Sequence, residues 1–248
     1  MPFESPEAAY GAFFTHFNAE DAAAWAGVMS YPHTRVSAGS GTSAFYDTPE
    51  DYAARASWDR FKATGWVRTQ GIEPVRVHES PDKVHLAGGW TRFNAQDEPI
   101  VSNRVTYILT HLDAGWGIQA RFGTDSFDEG EDGTPSERAA LDVVARHLDA
   151  WDAHDLAACA AIAGYPLTEV RVGAVDRYPD PAAYEATLAA QPWSPTADRN
   201  VRAYQLGRTG VNIAVTATLE DGRREQAVFL VALRDEGWQI AARSRIAG

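Results

Sequence analysis

The chain has 248 residues, 45% of them hydrophobic, which is enough for one large domain or two ordinary ones, each with a buried core. Its 34 acidic and 22 basic side chains give a formal charge of −12, and such an acidic surface disfavours nucleic acid and anionic lipid as partners. The single cysteine, Cys159, has no second thiol for a disulfide or a zinc site.

Apolar residues at helical spacing predict a first helix that begins at Ser5 and stops near Asn18. Asn18 is expected to cap a second, shorter helix, and the Tyr31-Pro32 step passes the chain to an extended segment. A third helix begins at Thr48. Strand patterns bounded by turn signals follow at 75–78, 84–93, 100–112 and 116–122.

The sequence then repeats itself, with the same order of features. Residues 18–21 (Asn-Ala-Glu-Asp) return at 152–155 (Asp-Ala-His-Asp), an offset of 134 (152 minus 18). The Asp-Ala-Gly-Trp of 113–116 returns as Asp-Glu-Gly-Trp at 235–238, an offset of 122 (235 minus 113). A falling offset is what shorter loops in a second copy would produce. We therefore predict a tandem duplication, with domains at 1–124 and 134–248.

The segment between the copies, residues 125–133, is rich in acid and glycine, and it is predicted to be a solvated linker. Thr134-Pro135-Ser136-Glu137 follows with the pattern of a capping box, which predicts the start of a new helix.

Helices followed by a long antiparallel meander indicate an α+β unit. With the Asn-Ala-Glu-Asp step and the closing Gly-Trp-Gly-Ile-Gln-Ala-Arg strand at 115–121, each copy resembles the nuclear transport factor two-like superfamily, which includes ketosteroid isomerase and the SnoaL-like polyketide cyclases. The resemblance implies a tandem pair of cone-shaped α+β barrels. Each would pack about three N-terminal helices on a curved, mostly antiparallel sheet. This superfamily uses one cone for many chemistries and also for plain binding.

The catalytic set of ketosteroid isomerase is absent from both copies. Its base, its tyrosine and its second acid fall, in that order, on Ala38, Phe13 and Thr106 in the first copy and on Val172, His147 and Val228 in the second. Residues that both copies share are interpreted as structural, with the arginines expected on the outer face of the sheet. These pairs are Tyr31 and Tyr165, Gly39 and Gly173, Trp116 and Trp238, and Arg121 and Arg243.

Three residues are the candidates for catalysis. His33 stands beside a proline where the chain enters the first strand, and its imidazole suits proton transfer. Tyr31 would donate a proton or hold an oxygen beside it. In the second copy, His147 is expected to project into the cone from a helix, where a satisfied core histidine is the commoner outcome.

Further residues are predicted to bind the substrate. Arg35 would hold an anionic group, although a solvent-facing salt bridge is the commoner role of a strand arginine. Tyr46, Trp58 and Trp66 would form walls at the mouth of the cone, and the remaining predicted lining residues are Trp90, Asn103, Thr106 and Phe122.

The sequence has no metal, nucleotide or nucleophile-elbow motif, so no cofactor is expected. The preferred hypothesis is an enzyme of lyase, dehydratase or isomerase type that applies general acid/base chemistry to a small hydrophobic or aromatic molecule. The alternative is a non-catalytic module that binds a ligand or a protein. The two domains are expected to pair within the chain, and further homo-oligomerisation is left open. The N-terminus lacks a signal pattern, which favours the cytoplasm.

Overall fold

The computed structural model describes residues 3–38, 43–126 and 132–247. The chain forms two compact units. Among the described residues, the first unit holds 3–35, 43–121 and 172–174, and the second holds 36–38, 122–171 and 175–247. Gly39 and residues 127–131 of the predicted linker lie outside the described residues, so the domain boundaries at 124 and 134 stay a prediction.

Over its described residues, the first unit contains four helices and a seven-stranded sheet. The helices are α1 (Pro6–Asn18), α2 (Ala22–Ala26), α3 (Pro49–Ala54) and α4 (Asp59–Lys62). The strands are β1 (Met29–Ser37), β2 (Ser43–Tyr46), β3 (Arg68–Gly71), β4 (Val75–Glu79), β5 (Lys83–Phe93), β6 (Pro99–Leu112) and β7 (Gly115–Gly123). They are ordered β2-β1-β7-β6-β5-β3, and β4 also pairs with β5.

In the part of the chain that the structure describes, the second unit repeats this plan with three helices and six strands. The helices are α5 (Thr134–Asp152), α6 (Leu156–Ile162) and α7 (Pro181–Ala189). The strands are β8 (Ala163–Arg171), β9 (Ala174–Tyr178), β10 (Thr196–Leu206), β11 (Gly210–Leu219), β12 (Arg224–Arg234) and β13 (Gly237–Ala247). The sheet order is β10-β11-β12-β13-β8-β9. The three pairs from β10 to β13 are antiparallel, and β13 pairs with β8 in parallel.

The α+β class and the two-unit architecture are confirmed. The strand order in each sheet is an open path over the described residues. Each unit is therefore an open sheet with helices packed on it and not a closed barrel.

The duplication is visible in local backbone geometry. Helix α1 ends at Asn18 and α5 at Asp152, and each is followed by a residue in the left-handed region, Glu20 (φ 56°) and His154 (φ 55°). An aspartate then caps the next helix in each copy. The Asp21 carboxylate accepts from Ala24 N at 2.9 Å, and that of Asp155 accepts from Ala158 N at 2.9 Å.

The shared tyrosines hold the junction between helix and strand. The Tyr31 hydroxyl donates to Ala26 O at 2.9 Å, and the Tyr165 hydroxyl donates to Ala160 O at 2.7 Å. Each bond satisfies a carbonyl at the end of a helix. The structural interpretation of this pair is thereby confirmed.

Several local predictions are wrong. Asn18 does not cap α2. Its amide donates to Thr69 O and accepts from Thr69 N, both at 2.8 Å, so it ties α1 to β3. The residue before α5 is Gly133, with no side-chain cap, so Thr134 does not form the predicted capping box. The predicted third helix is two short helices, α3 and α4. Strands β2 and β3 were missed because four residues are too few to show an alternating pattern.

The interiors of the two units differ in composition. The core of the first unit is rich in aromatic rings, among them Tyr10, Phe13, Phe14, Phe17, Trp25, Tyr52 and Tyr107. The core of the second is mostly aliphatic, with Val143, Val144, Ile213, Val215, Val231 and Ile240. The same backbone plan therefore encloses two different chemical environments.

The two helix caps give the first test. We expect Asp21→Ala and Asp155→Ala each to lower the free energy of unfolding by about 1 kcal/mol, because each leaves an N-terminal amide of the helix unsatisfied. Urea denaturation measures the change. The matched control is Asp142→Ala on α5, whose carboxylate makes only an exposed ion pair with Arg146 and should cost less than about 0.5 kcal/mol. Equal effects of all three substitutions would contradict the duplicated cap.

Candidate functional site

Each unit carries a group of five polar side chains between its helices and its sheet, and four of the five occupy equivalent positions in the repeat, the histidine being the exception. We call His33, Arg35, Tyr46, Tyr52 and Arg121 the first polar cluster. The second polar cluster is His147, Glu169, Tyr178, Tyr184 and Arg243. The expectation that Arg121 and Arg243 lie on the outer face of the sheet is wrong. Their guanidinium groups lie over rings of the helix side, Phe13 at 4.8 Å and Tyr184 at 5.0 Å.

An ion pair dominates the second polar cluster. Arg243 Nη2 lies 2.9 Å from Glu169 Oε1 and 3.0 Å from Oε2, and both side chains are almost fully buried. The Tyr178 hydroxyl donates to Glu169 Oε2 at 3.0 Å, and Arg245 Nε lies 3.6 Å from Oε1. Burial alone would raise the pKa of Glu169, but Arg243 and Arg245 outweigh it and hold that pKa at about 2. The Glu169 carboxylate is therefore ionised, and both of its oxygens already have partners within the protein.

The first polar cluster has a different charge. Arg35 stands where the second copy has Glu169, and its Nη2 donates to the Tyr46 hydroxyl at 3.0 Å. Arg121 Nη2 donates to the Tyr52 hydroxyl at 3.4 Å. No carboxylate among the described residues pairs with either arginine. Burial lowers the pKa of Arg121, and the positive charge of Arg35 lowers it further.

His33 is held as a neutral imidazole. Its Nδ1 lies 2.8 Å from Ile118 O, and because a carbonyl only accepts, Nδ1 carries the proton. Its Nε2 is then an acceptor, which is buried with no hydrogen-bond partner among the described residues. Burial lowers the pKa of His33 well below its usual value, and Arg121 and Arg35 act in the same direction.

His147 projects inward from α5, as predicted, and takes the place of Phe13 in the first copy. Its ring centroid lies 5.9 Å from that of Phe229. Burial, with the charge of Arg243, lowers the pKa of His147 to about 3. The ring is therefore neutral at physiological pH.

A cavity of about 50 Å³ lies beside His147 within the second unit. Its polar lining consists of His147, Thr196, Glu225, Arg243 and Arg245, and its apolar walls are Leu148, Trp151, Val215, Ala217, Leu219, Ala227 and Phe229. At roughly 10 to 15 Å³ for each water-sized position, it has room for about three to five non-hydrogen atoms. The cavity thus combines apolar walls with a few polar and charged groups.

The structure brings some predicted residues together and separates others. Tyr46 lies against His33, with ring centroids 5.9 Å apart, and so joins Arg35 in the first polar cluster. The ring of Tyr31 is 6.4 Å from that of His33, but its hydroxyl is committed to the Ala26 carbonyl. Trp58 and Trp66 are core residues whose indole N–H groups donate to Phe17 O at 2.9 Å and Thr69 Oγ1 at 2.8 Å.

The remaining predicted residues lie elsewhere. Trp90 and Asn103 face each other across the β5–β6 pair, with the Arg92 guanidinium 4.2 Å from the Trp90 ring. Thr106 and Phe122 are fully buried but do not belong to the helix-facing core of the first unit. Alternation along β6 turns Thr106 away from Tyr107, which is in that core. Whether any of these residues binds a substrate stays a prediction.

Sequence reasoning missed the roles of Arg121, Arg243 and Glu169. A signal was present, because both copies keep an arginine at the same position while the residue at 35 and 169 reverses its charge. A buried arginine requires compensation, so such a reversal marks a change at an interior site.

Comparison with known proteins gives structural likeness to half of the chain at a time. A calcium/calmodulin-dependent protein kinase II association-domain protein of Thiobacillus denitrificans is 21% identical over 50% of this chain and 97% of its own, with a TM-score of 0.39. A cystatin-like-fold protein of Nostoc punctiforme is 15% identical over 56% of this chain and 91% of its own, with a TM-score of 0.41. An NTF-2 like protein of Shewanella oneidensis is 13% identical over 47% of this chain and 93% of its own, with a TM-score of 0.37.

The last of these carries the name of the family that the sequence resembles. Likeness at these identities concerns the fold and transfers no activity. Neither a protein-family model nor a curated protein matches the sequence. None of the described helices is long and apolar enough to cross a membrane.

The buried ion pair gives the second test. We expect Glu169→Gln to lower the free energy of unfolding by roughly 3 to 5 kcal/mol, because it leaves the Arg243 charge buried without a partner. The control is Asp176→Asn, which breaks an exposed pair with Arg171 on neighbouring strands and should cost at most about 1 kcal/mol. Urea denaturation of both variants measures the difference. Similar costs would show that the pair at Arg243 is solvated.

His147 gives the third test, through pH. Its pKa is lowered in the folded state, so the unfolded chain takes up the proton first, and stability is lost as pH falls from about 6.5 towards about 3. We expect His147→Phe, which copies Phe13, to lack this loss. The stability difference between wild type and variant should be constant above about pH 7 and shift in favour of the variant at lower pH. A difference independent of pH would contradict the buried neutral imidazole.

Proposed function

We propose that the chain is a small-molecule-binding protein and that its second unit takes the ligand in the cavity beside His147 and Arg243. The observation that carries the proposal is the cavity itself. It has apolar walls with a few polar groups among them, which is the usual composition of a ligand site.

The lining defines the class of ligand. The apolar walls suit a hydrophobic or aromatic molecule, and Arg243 and Arg245 offer donors to an acceptor oxygen. The volume of about 50 Å³ fits a compact ligand, or one end of a larger one.

Binding without catalysis is favoured over acid/base chemistry by the protonation states of the lining. A general base works best when its pKa is near the working pH. The pKa of His147, which lines the cavity, is about 3, and that of Glu169, the partner of the lining residue Arg243, is about 2, so both are weak bases at neutral pH.

A lyase, dehydratase or isomerase activity is the second candidate, supported by an imidazole in the cavity wall. It predicts turnover of a substrate that is lost in His147→Phe. Location in the cytoplasm, pairing of the domains within the chain and homo-oligomerisation belong to the same proposal as expectations.

Filling the cavity gives the fourth test. Ala217 lines the cavity from β11, and its neighbour Thr218 is exposed, since successive strand residues point to opposite faces. We expect a small probe such as acetone to bind wild type and the control Thr218→Leu alike, and to lose binding in Ala217→Leu. Ligand-detected saturation-transfer NMR measures the contact.

Two outcomes would overturn the proposed site. One is the absence of binding of any compact ketone to wild type. The other is binding that persists in an Ala217→Leu variant shown by circular dichroism to be folded, because the probe would then lie elsewhere.

A further inference from the structure

The two copies differ in charge at one equivalent interior position, and their neighbours there are the same. Arg35 and Glu169 are related by the offset of 134 (169 minus 35). Each contacts the tyrosine that ends the following strand, Tyr46 at the end of β2 and Tyr178 at the end of β9, at 3.0 Å in both cases. Arg121 and Arg243 are the shared arginines of the closing strands β7 and β13.

In the second unit these neighbours pair with one another through charge and hydrogen bonds. The Glu169 carboxylate accepts from Arg243 and from Tyr178, so the buried negative and positive charges cancel. Buried arginine is tolerated in proteins when a carboxylate pairs with it in this way.

The first unit has no carboxylate at the position of Glu169, because Arg35 stands there. Arg35 and Arg121 bring two positive charges to the same tyrosines, because Tyr46 and Tyr52 are in ring contact at 4.6 Å. Arg121 Nε is buried with no hydrogen-bond partner among the described residues. The face of Phe13 supplies part of the compensation, but a cation–π contact is weaker than a bidentate carboxylate.

Other donors in the same aromatic core lack partners. The hydroxyl of Tyr107 and the indole N–H of Trp25 are buried without an acceptor in the described part of the chain. Their rings contact those of Phe13 and Tyr52, at 5.9 Å for Tyr107–Phe13 and 4.9 Å for Trp25–Tyr52. Buried donors are normally satisfied, so an acceptor from outside the chain is indicated at this place.

Arg121 as a whole residue is not fully enclosed by the protein. Arg121 is partly exposed, whereas the rings it contacts are buried, Phe13 at 4% and Tyr52 at 2% exposure. Part of Arg121 therefore lies at the surface, while its guanidinium packs on the buried Phe13 ring.

We infer that the first unit binds an organic anion whose carboxylate, against Arg121 and Arg35, takes the place that the Glu169 side chain holds in the second unit. The planar carboxylate matches the fork of the guanidinium. The surrounding aromatic rings suit an apolar or aromatic body. This site is separate from the cavity of the second unit and does not depend on it.

The test uses sodium benzoate as the probe, with benzamide as its uncharged counterpart and sodium chloride at equal ionic strength. We expect saturable binding of benzoate by titration calorimetry. We also expect a rise of roughly 5 °C in the unfolding midpoint at a hundredfold excess over the dissociation constant. Benzamide and chloride should give neither effect.

Two variants locate the site. Arg35→Glu installs in the first unit the carboxylate that the second already has, so it should fold, pair with Arg121 and lose the benzoate response at least tenfold. Arg171→Gln removes an exposed arginine from β8 and should keep the response. Arg121→Gln should also lose the benzoate response. If Arg121→Gln is too unstable to study, Arg35→Glu still tests the site.

The inference is overturned if benzoate does not bind, if chloride acts equally, or if Arg35→Glu responds like wild type. The Ala217→Leu variant separates this inference from the proposed function. If the benzoate response is lost in Ala217→Leu and kept in Arg35→Glu, the probe occupies the second-unit cavity, so the anion site is wrong and the proposed function stands.

Discussion

The charge of one buried arginine is the constraint on which the interior of each unit depends. The closing strand of each sheet directs a guanidinium, Arg121 or Arg243, towards the helices, where a charge is costly unless it is compensated. The second unit compensates internally through Glu169, and the remaining space is a small cavity. The first unit places a second cation, Arg35, at the same position. The second copy therefore neutralises its buried arginine with a carboxylate, whereas the first copy places another positive charge beside it.

The duplication separates what builds the fold from what defines the interior. Both copies keep the aspartate cap, the tyrosine at the helix–strand junction and a glycine turn before the last strand, with Gly115 at φ 90° and Gly237 at φ 107°. These are local backbone requirements, so any pair of copies with the same fold must meet them. The side chains between helices and sheet are free of that requirement, and they have diverged in size, polarity and charge.

Long elements could be predicted from the sequence, and short or polar ones could not. Strands β5 and β6 are long, alternate clearly and end at turn residues, so their positions were predicted within one or two residues. The inward position of His147 followed from its place on a helix between Val144 and Trp151. The inward arginines did not, because a strand arginine usually faces solvent and because Glu169 is 74 residues from Arg243. Asn18 was misassigned for a similar reason, since its partner Thr69 lies 51 residues away.

The most direct measurement of this account is an arginine side-chain Nε–Hε NMR spectrum recorded during a benzoate titration. Arg121 lacks a carboxylate partner among the described residues and Arg243 has one, so the Arg121 resonance should move with benzoate while that of Arg243 stays fixed. Movement of the Arg243 resonance, or two resonances that both remain in place, would contradict the difference in charge compensation between the two units.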